Sequence, residues 1–351
     1  MKRRSFLKVV GGLTGGVATG VTSVFGKDAE PIVGKTQGMP QRVLGRTGIK
    51  VSVVGFAGLA LSHYEQDVCT KGLHSAFDRG LTYFDVAPAY GKDGECEIKM
   101  GVGLQGLDRS RYVLACKSKK RDKAGAREEL ERSLQRLKTD HFDLYQMHHL
   151  VKPEDVKTAL GPGGALETFL KAKEEGKIKA IGFSAHTTKA ALEALRGFNF
   201  DTVMFPINYV EYYTRDFGKQ VLALAKEKGA AVISIKTIHS GAWPKGQPQA
   251  RSWWYRPLED QEEINLAYRW TLSLPGVVAG IPVSYLDLQD KCITAGYAFH
   301  PANDADAKKL QDMATGQGSI FKREEDMVAM GKTPECAYPD HPHDRCPGEW
   351  A

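Results

Sequence analysis

The chain has 351 residues, 42% of them hydrophobic and 26% charged. That is room for one large domain or two ordinary ones, and it excludes a disordered chain and a polytopic membrane protein. The formal charge is +6, but Lys2, Arg3, Arg4 and Lys8 supply four of the 48 cations. Setting them aside leaves 44 Lys and Arg against 42 Asp and Glu, without the concentrated basic field of a nucleic-acid binder. Six cysteines with no Cys-x-x-Cys pair are not a disulfide scaffold.

Residues 1–26 read as an address. A basic start, Met1 to Lys8, precedes an uncharged apolar stretch, Val9 to Gly26, whose six glycines (Gly11, Gly12, Gly15, Gly16, Gly20 and Gly26) keep it weakly hydrophobic for a membrane span. Arg3-Arg4 followed by Ser5-Phe6-Leu7-Lys8 looks like a twin-arginine signal, with Lys2 where a Ser or Thr is usual. The expectations are export through the twin-arginine machinery, a periplasmic or extracellular location, and no stable membrane span after processing. An ordinary secretory signal or a membrane anchor is the alternative.

Residues 27–41 are polar with Pro and Gly and are expected to be a linker. Arg42 to Ser52 alternates apolar and polar residues around Thr47-Gly48, which predicts a short hairpin. Eight apolar runs follow: Val51–Phe56, Leu81–Asp85, Tyr112–Lys117, Phe142–His148, Ile178–Ser184, Thr202–Asn208, Ala230–Lys236 and Val277–Pro282. Between them lie helical patterns such as Ala126 to Leu137, where Leu130, Leu134 and Leu137 share a face. Eight strand–helix units predict a (β/α)8 barrel over residues 42–315, preceded by the hairpin and followed by a tail at 316–351. The competing fold, an open doubly wound sheet, usually places a Gly-rich loop after its first strand. Gly55-Phe-Ala-Gly58 lacks that pattern. Gly101-Val-Gly103-Leu-Gln-Gly106 matches G-x-G-x-x-G but follows a helical stretch, so it is read as a helix end and a turn.

Strands two, three and four run to Asp85, Lys117 and His148, and Tyr90 lies five residues beyond Asp85. In a barrel the C-terminal strand ends converge on one mouth, where active sites sit. A phenol is a poor acid at neutrality, and a nearby ammonium is expected to lower its pKa, with a carboxylate keeping that ammonium charged. A neutral His donates a hydrogen bond to a carbonyl. Together these suit protonation of a carbonyl oxygen as hydride reaches its carbon. No side chain supplies hydride, so a nicotinamide cofactor is implied.

Leu44-Gly-Arg-Thr-Gly-Ile-Lys-Val-Ser52, Phe84-Asp-Val-Ala-Pro-Ala-Tyr-Gly91, Val113-Leu-Ala-Cys-Lys117, Asp143-Leu-Tyr-Gln-Met-His148 and Ile181-Gly-Phe-Ser184 stand in order along the chain. With them the sequence resembles the aldo-keto reductases from about Leu44 to Leu288. The resemblance implies nicotinamide-dependent reduction of a small carbonyl substrate, or the reverse, with Tyr90 as general acid/base. It makes Lys117 and Asp85 the tuners of Tyr90, and His148 the orienter of substrate. Strand alternation points the adjacent His149 the other way. Ser184 matches the family serine that contacts the carboxamide, with Ala185 in place of the usual Asn and His186 following. Asn208-Tyr209 stands where Asn-Gln is frequent, and Ile235 replaces the ring that often stacks on nicotinamide. The cofactor-binding set is Ser184, Tyr209, Lys236, Gly241 and Ser284. Lys236 either faces the pyrophosphate or simply ends a strand. Val283 stands where NADP-preferring members often place a Lys, and the helix beyond offers Gln289 and Lys291 but no Arg, which leaves NADP or NAD open. A barrel that senses nicotinamide without turnover is the rival reading.

Trp253-Trp254-Tyr255 either lines a substrate cleft or packs as a loop or partner patch. In the tail, Cys336 and Cys346 with His341 and His343 suggest a disulfide first, then free thiols, then metal.

Overall fold

The computed structural model describes residues 29–332 apart from 245 and 247. The expected signal segment at 1–26 and the expected Cys336–Cys346 disulfide therefore lie outside the described residues. The opening elements are antiparallel: β1 (Gly34–Thr36), β2 (Met39–Val43) and β3 (Lys50–Ser52), in the order β1-β2-β3. The hairpin around Gly48 forms as expected, with Gly48 at φ 74° where a side chain is disfavoured. The linker expectation at 27–41 is corrected. Residues 34–36 pair with 39–41 because Gln37 and Gly38, both at positive φ, turn the chain back on itself.

Eight parallel strands follow: β4 (Gly55–Ala57), β5 (Tyr83–Asp85), β6 (Val113–Ser118), β7 (Phe142–Leu150), β8 (Ile178–Ala185), β9 (Thr202–Pro206), β10 (Ala231–Ile235) and β11 (Val277–Ile281). They lie side by side in chain order. The Gly280 amide donates to the Val53 carbonyl at 2.9 Å, and Val54 bridges Gly280, so β11 returns to β4 and the sheet curls into a barrel. The run predicted as strand one divides. Val51 and Ser52 belong to the hairpin, and Gly55–Ala57 enters the barrel.

The outer layer comprises α1 (Gln66–Asp78), α2 (Glu95–Gly103), α3 (Lys123–Arg136), α4 (Pro153–Leu160), α5 (Ala165–Glu174), α6 (Thr188–Gly197), α7 (Tyr209–Arg215), α8 (Lys219–Lys228), α9 (Gln261–Leu272), α10 (Leu286–Tyr297), α11 (Asp304–Ala314) and α12 (Lys322–Ala329). Side-chain caps start several of them. Asp122 accepts from the Gly125 amide at α3, and Asp260 from the Glu262 and Glu263 amides at α9. None of the described helices is long and apolar enough to cross a membrane. The G-x-G-x-x-G match is a helix end. Gly101 and Gly103 belong to α2, and a Cβ on Gly101 would lie 2.1 Å from the Arg136 carbonyl oxygen.

Burial separates two cores. The inner one fills the barrel with Tyr83, Ala115, Leu144, Ala180, Ile233 and their neighbours, and Leu44 and Val51 of the hairpin close its floor. The outer one lies between strands and helices. Arg42 clamps the hairpin by donating to the Leu272 and Val277 carbonyls at 2.7 and 2.8 Å. With the floor plugged, the open end is the one to which the strand C-termini point.

Candidate active site

Strand alternation carries three chemical groups to that open end. Tyr83 and Asp85 share the inner face of β5. Val113, Ala115 and Lys117 share that of β6, and Leu144, Gln146 and His148 that of β7. The result is one buried polar chain. Lys117 Nζ donates to Asp85 Oδ1, to the Val86 carbonyl at 3.2 Å and to Tyr90 Oη at 3.2 Å. Those three bonds place all three ammonium protons. Asp85 Oδ2 also accepts from Tyr83 Oη and Gln146 Nε2, each at 3.4 Å. Sequence reading missed these two partners, although Gln146 is two residues from His148 on the same inner face.

The electrostatics follow from the geometry. Burial pulls the Lys117 ammonium down, but Asp85 and Tyr90 pull harder and hold it above its ordinary value. Asp85 accepts from all three partners, and the carboxylate is the form that can do so. Burial also pushes the Tyr90 phenol up to about 12, although Lys117 pulls it down. The expected lowering of this phenol is thus reversed by desolvation. His148 meets Tyr90 edge-on, ring centres 5.5 Å apart. Burial, then the charge of Lys117, holds its imidazole well below the ordinary range and so neutral.

Asp85, Tyr90 and His148 line a cavity at the mouth, as do Ser184, Lys236 and Ser284 from the expected cofactor set. Tyr209 and Gly241 are not brought to it. Tyr209, at the start of α7, lines a separate cleft with Ser240 and Arg256, and the Gly241 carbonyl accepts from the Arg256 amide at 3.0 Å. Trp253, Trp254 and Tyr255 do line the mouth and are almost fully buried. Arg251 fastens this segment by ion pairs to Glu259 and Asp287, and Tyr285 Oη donates to the Ser252 carbonyl at 2.8 Å.

A second polar cluster adjoins His148 at the mouth. The side-chain Oγ of Ser184 accepts from the His149 amide at 2.8 Å. His148, and not His149, lines the cavity, as alternation predicts. At His149 a φ of 57° turns the chain, and the His149 ring packs edge-on against His186 with centres 4.5 Å apart. Glu324 arrives from α12, inside the segment read as a tail, which instead docks on the barrel through Glu325 and the Thr188 amide and hydroxyl. Ligand-type atoms of His149, His186 and Glu324 lie within 4.8 Å of one another. A cation is already there, because Lys236 Nζ stands 3.2 Å from His186 Nε2.

The donor set fits a nicotinamide cofactor. Tyr90 can give a proton, no neighbour can give a hydride, and Ser184 offers a hydroxyl at the cavity wall. The cavity is only about 50 Å³, against roughly 300–1,000 Å³ for ligand pockets.

The aldo/keto reductase family profile matches residues 54–263. L-galactose dehydrogenase of Arabidopsis thaliana is 30% identical over 234 residues, 60% of this chain and 72% of that enzyme. D-threo-aldose 1-dehydrogenase of a Pseudomonas species is 24% identical over 236 residues, 58% of this chain and 70% of that enzyme. In fold, an aldo-keto reductase of Bacillus halodurans in its holo form superposes with a TM-score of 0.65 at 22% identity, over 80% of this chain and 98% of that one. The eight-stranded barrel and the family match agree, and the chain belongs to the aldo/keto reductase family, whose members are oxidoreductases that use nicotinamide cofactors.

Proposed function

We propose that this reductase protonates the carbonyl oxygen of a sugar-type substrate from Tyr90, with His148 orienting that oxygen. The observation that carries the reading is the buried chain Asp85–Lys117–Tyr90 at the mouth beside His148. Lys117 can only donate, so Tyr90 Oη accepts from it, and the phenol's own proton points elsewhere. When bound, a nicotinamide cofactor supplies the hydride. Tyr90 gives its proton to the oxygen, and the phenolate left behind is stabilised by the ammonium 3.2 Å away. Asp85 keeps that ammonium charged where burial alone would neutralise it. Neutral His148 can donate to the carbonyl without competing for the proton.

The sugar class is supported by relatives named for galactose and aldose oxidation and by the aromatic wall of Trp253, Trp254 and Tyr255. Ser184 and Ser284 are taken as cofactor contacts, and Val283 argues against a dedicated 2′-phosphate clamp. Arg3-Arg4 supports export by the twin-arginine machinery to the periplasm or cell exterior. Oxidation of NADH or NADPH, followed with a panel of aldoses and keto-sugars, tests the reading. Turnover with at least one sugar is expected, and none with any of them would reject the substrate class.

A further inference from the structure

The chain between β10 and α9 meets the starts of α7 and α9 and the end of α11 around a second cleft of about 520 Å³. That lies within the roughly 300–1,000 Å³ of small-molecule sites. The cleft shares no described lining residue with the catalytic cavity. Proton transfer from Tyr90 makes no use of it.

Most of its polar groups are already committed. Arg256 donates to the Ser240 carbonyl at 2.7 Å, to the Ser240 hydroxyl at 3.2 Å and to Gln317 Oε1. Glu259 is ion-paired with Arg251. Asp260 caps α9, accepting from the Glu262 and Glu263 amides at 2.9 and 3.0 Å. Two groups remain. The carboxylate of half-buried Glu263 makes no hydrogen bond or ion pair among the described residues. Tyr209 is only 1% exposed, yet its hydroxyl has no hydrogen-bond partner among the described residues. A buried hydroxyl left unpaired is costly and rare. Burial, then the charge of Glu263, pushes this phenol above its ordinary range, so the hydroxyl stands in the field of the uncommitted carboxylate.

The charge balance gives the sign of the ligand. Three carboxylates, of Glu259, Asp260 and Glu263, face the single guanidinium of Arg256 on this wall. The rest of the lining is largely apolar, with Trp243, Leu258 and Met313. Trp243 Nε1 is used up by the Trp253 carbonyl at 2.5 Å, which leaves the ring to offer its apolar surface. An ammonium needs acceptors, and a carboxylate and a phenol oxygen both accept. An indole face also favours a cation. We propose that this cleft binds a small organic amine carried on an apolar body. The ammonium donates to Glu263 and to the Tyr209 oxygen, and the body lies against Trp243, Leu258 and Met313.

The test is calorimetric titration of the full chain with 2-phenylethylamine and with 2-phenylethanol, which match in size and differ in charge. Neither needs turnover. The amine should bind about 10- to 100-fold tighter than the alcohol, the scale of a charged hydrogen bond. Glu263→Gln keeps the side-chain size and should equalise the two. Tyr209→Phe should weaken the amine about fivefold, the scale of one neutral hydrogen bond. The Kd for NADH should stay unchanged in both variants, because cleft and catalytic cavity have different walls. Equal binding of the two compounds by the unaltered protein, or no binding of the amine, would overturn the proposal even if a variant failed to fold. So would a Glu263→Gln protein that keeps the preference. A variant that loses NADH affinity along with the amine would place these residues at the cofactor and overturn it as well.

Discussion

The Lys117 ammonium lies 3.2 Å from the Tyr90 hydroxyl and 4.9 Å from the centre of the same ring. One cation thus meets both the oxygen that loses a proton and the π-face behind it. The ring face prefers the charged ammonium, and so does a developing phenolate.

Removing that cation should unsettle the fold as well as the chemistry. Lys117 and Asp85 are both buried and ion-paired. Lys117→Met would leave the carboxylate without its counter-charge, at a cost of about 3–5 kcal/mol. Denaturant unfolding should show a loss of that order, together with a fall in kcat. Unchanged stability would mean that the pair is not ionic.

The pH profile has a definite sign. The acid form of Tyr90 is needed for reduction, and burial raises its pKa to about 12. In the reduction direction kcat/KM should stay level from about pH 6 to 10 and fall only beyond. In the oxidation direction the phenolate is needed, so the rate should climb with pH across that range. A reduction limb falling with an apparent pKa near 8 would contradict the assignment.

Cofactor preference tests the reading of Val283. Without a bidentate cation for the 2′-phosphate, NADPH should bind no more than about tenfold tighter than NADH, a difference of about 1.4 kcal/mol. Fluorescence titration measures both, and a hundredfold preference for NADPH would reject the argument.

The barrel and its quartet were legible because their signals are local. Each apolar run after the first is one strand, and the inner-face spacing of Asp85, Lys117 and His148 follows from alternation along a few residues. What escaped depends on distance or on a single dihedral angle. Lys236, His186 and Glu324 meet from β10, β8 and α12, which no local pattern links. The left-handed turns at His149 and Lys236, with φ values of 57° and 59°, are not encoded by an apolar–polar alternation. The lowered pKa expected for Tyr90 considered one charge and left out the desolvation that a buried mouth imposes. Tyr209 was placed by motif position, whereas the chain carries it into α7 and a different cleft.

Export is tested separately from chemistry. Replacing Arg3 and Arg4 by Lys should leave the precursor in the cytoplasm, because the receptor reads the pair itself. Cell fractionation decides, and normal export of the double variant would reject the twin-arginine reading.

The central claim is that Tyr90 is the proton donor, and Tyr90→Phe tests it most directly. The substitution removes one oxygen and keeps the ring that packs beside His148 and over Lys117. Single-turnover reduction of a good carbonyl substrate, with cofactor bound and folding checked by circular dichroism, isolates the chemical step. The account predicts a loss of about 10²–10⁴ in rate with cofactor affinity little changed. A folded Tyr90→Phe protein that reduces the substrate at near-normal rate would contradict it.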